Sequence, residues 1–179
     1  MRFLKTPIEG LLLVEPAVHR DGRGAFMETF NARAFAEQGI GDNFVQDNQS
    51  VSRKGVIRGL HFQTGNHAQG KLVRVIHGSV LDVAVDLRDG SPTFGRHYSV
   101  VLDASAGNML WIPTGFAHGF EALEDDTVFH YKVTAYYQPA AEAGIRYDDP
   151  GLGIEWRSRN PLVSDKDLLL PTLREWADR

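Results

Sequence analysis

Arg58, His61 and Lys71 fall close together within residues 46–75, QDNQSVSRKGVIRGLHFQTGNHAQGKLVRV, among runs that read as strands. A neutral imidazole can remove a proton bound to carbon. An ammonium can hold the negative charge that then develops on a neighbouring oxygen, and a planar guanidinium can grip a phosphate. Those three jobs together describe the enolisation of a ketone carried on a phosphorylated handle. Each residue also has an ordinary role open to it. Lys71 suits a solvated strand start, Arg58 a surface ion pair, and Asp167 in the run SDKD a helix cap. Tyr131 suits a packed strand position with a satisfied hydroxyl. Asp82 and Asp86 rival Asp167 as partners for His61, because aspartates in an apolar strand need hydrogen bonds.

The elements that must hold these groups are mostly strands. Strand-like runs span 11–17, 23–30, 43–52, 59–62, 72–77, 79–87, 98–102, 109–112, 117–123 and 127–137. Turn chemistry separates them: HGS at 77–79, RDGSP at 88–92, PTG at 113–115 and EDD at 124–126. Many short strands with such punctuation predict an all-β sandwich or small barrel. The spacing predicts a helix over 32–38, capped by Asn31 and ended by Gly39. Short helical turns are also expected after Ser164 or Asp165 and in the tail beyond Pro171. Strand parity puts Gln46 with Asn48, and Tyr131 with Tyr137, on shared faces. Arg58 and His61 are three apart and should face oppositely, unless the chain bulges at Gly59.

At 179 residues and 42% hydrophobic, the chain fits a single domain, 1–179, around one core. A formal charge of −4 gives no support to a nucleic-acid surface, so anion binding must come from local arginines and lysines. The absence of cysteine rules out disulfides, thiolate metal sites and a cysteine nucleophile. The apolar run near Leu11 to Val14 is too short for a signal core and reads as a strand. No apolar stretch is long enough to cross a bilayer, and the expected location is cytoplasmic.

GNMLWIPTGFAH at 107–118 resembles the second signature of the cupin jelly rolls, in which a Pro-x-Gly turn delivers a His into the barrel. A metal-binding cupin places a His-x-His pair earlier, whereas here the chain reads His61-Phe62-Gln63. One imidazole cannot complete a three-ligand site, so no catalytic metal is expected. A narrower match runs nearly end to end: DGRGAFME at 21–28, QDN at 46–48, GVIRGLHFQ at 55–63 and HAQGKLVRV at 67–75. It continues through DVAVDLR at 82–88, SPTFG at 91–95, IPTGFAHGF at 112–120, YKVT at 131–134 and SDKD at 164–167. By these motifs the chain resembles the dTDP-4-dehydrorhamnose 3,5-epimerase family, metal-free cupins of deoxysugar biosynthesis.

The resemblance implies a cupin-type jelly roll with a few short peripheral helices. It also implies inversion of dTDP-4-dehydro-6-deoxy-D-glucose at C3 and C5 to give dTDP-4-dehydro-L-rhamnose. Cofactors: none are implied, and members form homodimers that exchange N-terminal strands. Carried over residue by residue, His61 is the base, Asp167 its supporting carboxylate, Lys71 the enolate stabiliser and Tyr131 the acid on the opposite face. Arg23 and Arg58 would take the pyrophosphate, and Tyr137 would stack on thymine, with Phe26 walling the nucleotide from the same or a partner subunit. Glu28, Gln46, Asp47, Asn48, His118, Glu142 and Lys166 match further substrate contacts, although His118 suits a buried turn-capping role equally well. The alternatives are a 3-only or 5-only epimerase of a related dTDP-ketosugar, and a non-catalytic or metal-binding cupin.

Overall fold

A computed structural model describes residues 1–41 and 43–178. In chain order the first elements are β1 (Arg2–Lys5), β2 (Leu12–Glu15), β3 (Val18–Asp21), β4 (Gly24–Met27) and α1 (Ala32–Ala36). The barrel strands follow: β5 (Gln46–Ser52), β6 (Ile57–Gln63), β7 (Lys71–His77), β8 (Ser79–Asp86) and β9 (His97–Asp103). Next come β10 (Met109–Ile112), β11 (Phe116–Ala122), β12 (Thr127–Val133) and β13 (Glu142–Gly144), then α2 (Asp165–Leu168) and α3 (Leu173–Ala177).

Two antiparallel sheets face each other. One runs β1-β2-β10-β7-β12-β5, the other β13-β6-β11-β8-β9, while β3 and β4 form a separate hairpin. The inner faces meet in a core that includes Val73, Val75, Val80, Ala84, Phe116, Phe120 and Phe129. Strand alternation then fixes what else points inward. Lys71 shares parity with Val73 and Val75, Asp82 with Val80 and Ala84, His118 with Phe116 and Phe120, and Tyr131 with Phe129. Polar side chains in these otherwise apolar strands are therefore delivered into the barrel.

Both outer faces are also covered. Leu60, Leu81, Val83, Val85 and Ala117 pack under the C-terminal segment that carries Ile145, Leu152, Trp156 and Trp176. Val14, Leu72, Met109 and Trp111 pack under Phe35 of α1, with Phe30 and Phe44 alongside. All eight residues of β8 are buried in consequence, its two aspartates included, because the strand is covered on both faces. Among the described residues, no helix is long and apolar enough to cross a membrane.

Local signals explain the helices. The Asn31 side chain accepts from the Arg33 and Ala34 amides to start α1, and Gly39 follows it with φ of +79°. Ser164 caps α2 by accepting the Asp167 amide, and Thr172 with Glu175 forms a reciprocal capping box on α3. The structure departs from the sequence reading in three places. β1, β3 and β13 are additional, the run 127–137 stops pairing at Val133, and the run 23–30 is cut to Gly24–Met27. The first three are strands of three or four residues, too short to show alternation. Beyond Val133 one further rung joins β12 to Gly70, whose amide donates to the Thr134 hydroxyl and whose carbonyl accepts the Thr134 amide.

Candidate active site

A cavity of about 540 Å³ opens between the sheets, and a second of about 180 Å³ adjoins it. Both are lined by His61, Lys71 and Tyr131. Arg58, His118, Lys166 and Asp167 border the larger space, while Gln46, Asn48, Tyr137 and Glu142 border the smaller. The three groups that could perform enolisation thus stand where two recognition surfaces meet.

His61 lies on β6 with its Nε2 2.7 Å from Oδ1 of Asp167, which sits on α2 and is 106 positions away in sequence. Asp167 is buried at 3% exposure. Burial opposes its charge, but the His61 ring, the Gly59 amide and the Ser164 hydroxyl outweigh that and lower its pKa. A carboxylate held ionised can only accept, so the His61 Nε2–H is the donor, and in the neutral ring Nδ1 is the nitrogen left to accept a proton. Asp82 and Asp86 do not compete for this ring: Asp82 pairs with His118, and Asp86 binds Arg88, Ser91 and Thr93.

The parity conflict between Arg58 and His61 is resolved by a bulge. His61 pairs with His118 and Arg58 with Phe120, so three steps on β6 face two on β11. Gly59 occupies the extra position with φ of +130°, and a Cβ there would lie 2.6 Å from the Gly119 Cα. Arg58 and His61 consequently border the same cavity. Arg58 is aimed by Nε donating to the Ser52 hydroxyl at 3.1 Å.

Lys71 is buried, its Nζ donating to the His61 carbonyl at 3.1 Å. Burial lowers its pKa to about 8, against the opposing pull of Asp82 and Glu142. Burial likewise raises the Tyr131 pKa, so this hydroxyl keeps its proton through neutral pH. His118 donates or accepts through Nε2 at 2.9 Å from Asp82 Oδ2 and stacks beside Phe129.

The recognition residues separate into three groups. Gln46 and Asn48 share a face of β5, bonded to each other at 2.9 Å, and Gln46 Oε1 accepts the Tyr137 amide. Tyr137 Oη donates to Glu142 Oε2 at 2.8 Å, and Lys166 Nζ lies 2.6 Å from Glu142 Oε1. Tyr137 therefore joins Tyr131 at the small cavity through a loop, not through a shared strand face. Asp47 lies between Gln46 and Asn48 with its side chain on the opposite face of β5, where it pairs with Lys132 at 2.9 Å and His130 at 3.6 Å. Arg23, Phe26 and Glu28 lie outside both cavities of their own chain. Arg23 pairs with Asp21 on the β3–β4 hairpin, Phe26 is 71% exposed, and Glu28 accepts from Asn31.

Several supporting residues were not foreseen. Gln63 donates to the His67 and Tyr136 carbonyls and accepts the Gln138 amide, and Gln69 donates to the Ala135 carbonyl. These two amides fix the loop that presents Tyr137. Both lie inside motifs already noted, GVIRGLHFQ and HAQGKLVRV, yet their partners beyond residue 134 leave no local signal. Among the described residues, no cluster of three or more His, Asp or Glu is arranged to hold a metal ion.

Residues 5–175 match the dTDP-4-dehydrorhamnose 3,5-epimerase family. A dTDP-4-dehydrorhamnose 3,5-epimerase of Shigella flexneri is 51% identical over 170 residues, covering 94% of this chain and 93% of that protein. The solved dTDP-6-deoxy-D-glucose-3,5-epimerase of Legionella pneumophila Philadelphia 1, in complex with dTDP-4-keto-L-rhamnose, is 47% identical. It superposes with a TM-score of 0.93 over 97% of this chain and 93% of that one. The Bacillus anthracis strain Ames epimerase with TDP and PPi bound is 42% identical, with a TM-score of 0.94 over 96% and 99% of the two chains.

Proposed function

This chain belongs to the dTDP-4-dehydrorhamnose 3,5-epimerase family, and from that premise we propose how its residues invert C3 and C5 of dTDP-4-dehydro-6-deoxy-D-glucose. The protein is an isomerase acting on a dTDP-linked 4-keto-6-deoxysugar. His61 Nδ1 removes the proton beside the C4 ketone while Asp167 steadies the imidazolium that forms. Positioned bases of this kind contribute about 10²–10⁴-fold. The Lys71 ammonium stabilises the enolate oxygen, an effect on the order of 10²–10³-fold for a single preorganised donor. Tyr131 returns a proton to the opposite face of the planar enolate, which is the step that inverts the carbon.

The observation that carries this reading is the shared border: His61, Lys71 and Tyr131 line both adjoining cavities. A base, a cation and an acid are thereby concentrated where a sugar ring would sit. On either side, Arg58 suits the pyrophosphate and Tyr137 the thymine ring, each already oriented by Ser52 or Glu142. Gln46, Asn48, His118, Glu142 and Lys166 supply the remaining polar contacts.

Arg23, Phe26 and Glu28 enter this scheme through a homodimer. The β3–β4 hairpin exposes an aromatic and a guanidinium outside the cavities of its own barrel, a form suited to completing the site of a second copy. A cysteine-free chain acting on a nucleotide-linked sugar also fits the cytoplasm.

Proton NMR in D₂O with the dTDP-ketosugar tests the assignment. A 3,5-epimerase incorporates deuterium at both C3 and C5, a mono-epimerase at one, and a binding module at neither. Tyr131→Phe is expected to exchange the C–H proton while inverting poorly, since base and cation remain.

A further inference from the structure

Asp82 has no place in the proton transfers just described, yet it sits wholly buried inside the barrel. Its Oδ2 lies 2.9 Å from His118 Nε2, and its Oδ1 is buried with no hydrogen-bond partner among the described residues. A half-satisfied carboxylate among Val80, Ala84 and Phe120 is costly, so a reason for keeping it there is needed. Two neighbours supply that reason. His118 pairs across the β6–β11 ladder with His61, so the ring held by Asp82 borders the same cavity as the base. Lys71 projects inward from β7 toward the same space, and the carboxylates opposing its loss of charge are Asp82 on β8 and Glu142 on β13. Glu142 is already engaged by Lys166 and Tyr137.

We propose that Asp82 is a positioning residue for the epimerisation: it fixes His118 in the Nε2–H tautomer and keeps the Lys71 ammonium charged where the enolate oxygen forms. The first part follows from hydrogen-bond chemistry. An ionised carboxylate accepts only, so Nε2 must carry the proton and Nδ1 is left as an acceptor for a sugar hydroxyl. The second part follows from electrostatics. Burial drives Lys71 toward the neutral amine, and a neutral amine is a weaker partner for an oxyanion. The other charged or titratable groups bordering this space are Arg58 and His61 on β6, His118 on β11, Tyr131 on β12, and Lys166 and Asp167 on α2; Asp167 is the one carboxylate among them and is engaged by His61. Asp82 is therefore the uncommitted negative charge facing Lys71 inside the barrel. The inference rests on the epimerase reading.

The test is Asp82→Asn, which keeps shape and removes charge. Deuterium incorporation into the dTDP-ketosugar is followed from about pH 6.5 to 9 in both proteins. Loss of a nearby opposite charge is expected to move the alkaline limb of kcat/KM to lower pH by about one unit or more. The deficit should therefore be far larger at pH 8 than at pH 6.5, with dTDP affinity little changed. A deficit of equal size at every pH would mark a merely structural role and overturn the proposal, as would an unshifted limb. If the variant does not fold, nitrogen NMR of histidine-labelled wild-type protein decides: His118 must hold the Nε2–H tautomer across that range. Protonation at Nδ1 there refutes the assignment. Wild-type protein that fails to label C3 or C5 at all refutes the epimerase reading instead, so the two failures are distinguishable.

Discussion

Individual residues set the pH window of the reaction. Lys71 must be charged to meet the enolate oxygen, and burial brings its pKa down to about 8. Because deprotonation removes the charge, kcat/KM is expected to fall as pH rises through about 8, well below the range of an exposed lysine. Lys71→Gln should remove that limb and lower kcat by roughly 10²-fold or more, as measured by steady-state assays across pH. The types of chemistry were legible in the sequence at this scale, because Arg58, His61 and Lys71 lie in one segment. Their partners were not. Asp167 is 106 positions from His61, and on the residues alone Asp82 and Asp86 rivalled it as the partner of that ring. Alternation along β5 was legible too: Gln46 and Asn48 share a face with Ser50 and Ser52, and the Asp47 side chain takes the other.

Single elements are held by close backbone contacts that admit little change. The β6 bulge lets Arg58 and His61 border one cavity, and it depends on the missing side chain at Gly59. Gly59→Ala would drive a Cβ to within 2.6 Å of the Gly119 backbone, in a conformation that L-residues rarely adopt. We expect a loss of about 2–4 kcal/mol in stability by chemical denaturation, together with loss of turnover. The strands were largely readable because turn residues bracket β5 to β12, and Asn31 and Ser164 announced α1 and α2. β1, β3 and β13 were not, since two faces cannot be told apart over three or four residues and none of these is an unbroken apolar run like β10. The loop carrying Tyr137 was misread as strand because apolar and aromatic residues continue past Val133. The β7–β12 ladder continues for one more rung, between Thr134 and Gly70, a long-range contact that local sequence does not mark.

At the scale of the whole molecule, the barrel gathers groups from β5, β6, β7, β11, β12 and α2 around one cleft, and only long motifs in a fixed order made that assembly visible beforehand. Arg23 and Phe26 stand apart from it, on the β3–β4 hairpin outside that cleft. If the hairpin completes a partner's site, mixing Arg23→Ala with His61→Asn subunits restores one intact site in each mixed dimer. Random exchange then returns about one quarter of the sites, whereas a hairpin serving its own barrel returns none. The most direct measurement for the account as a whole is deuterium wash-in by His61→Asn, read by proton NMR alongside dTDP binding by calorimetry. The account predicts that label at C3 and C5 falls by roughly 10³-fold or more while dTDP affinity stays within about threefold. Label entering either carbon at the wild-type rate would contradict it.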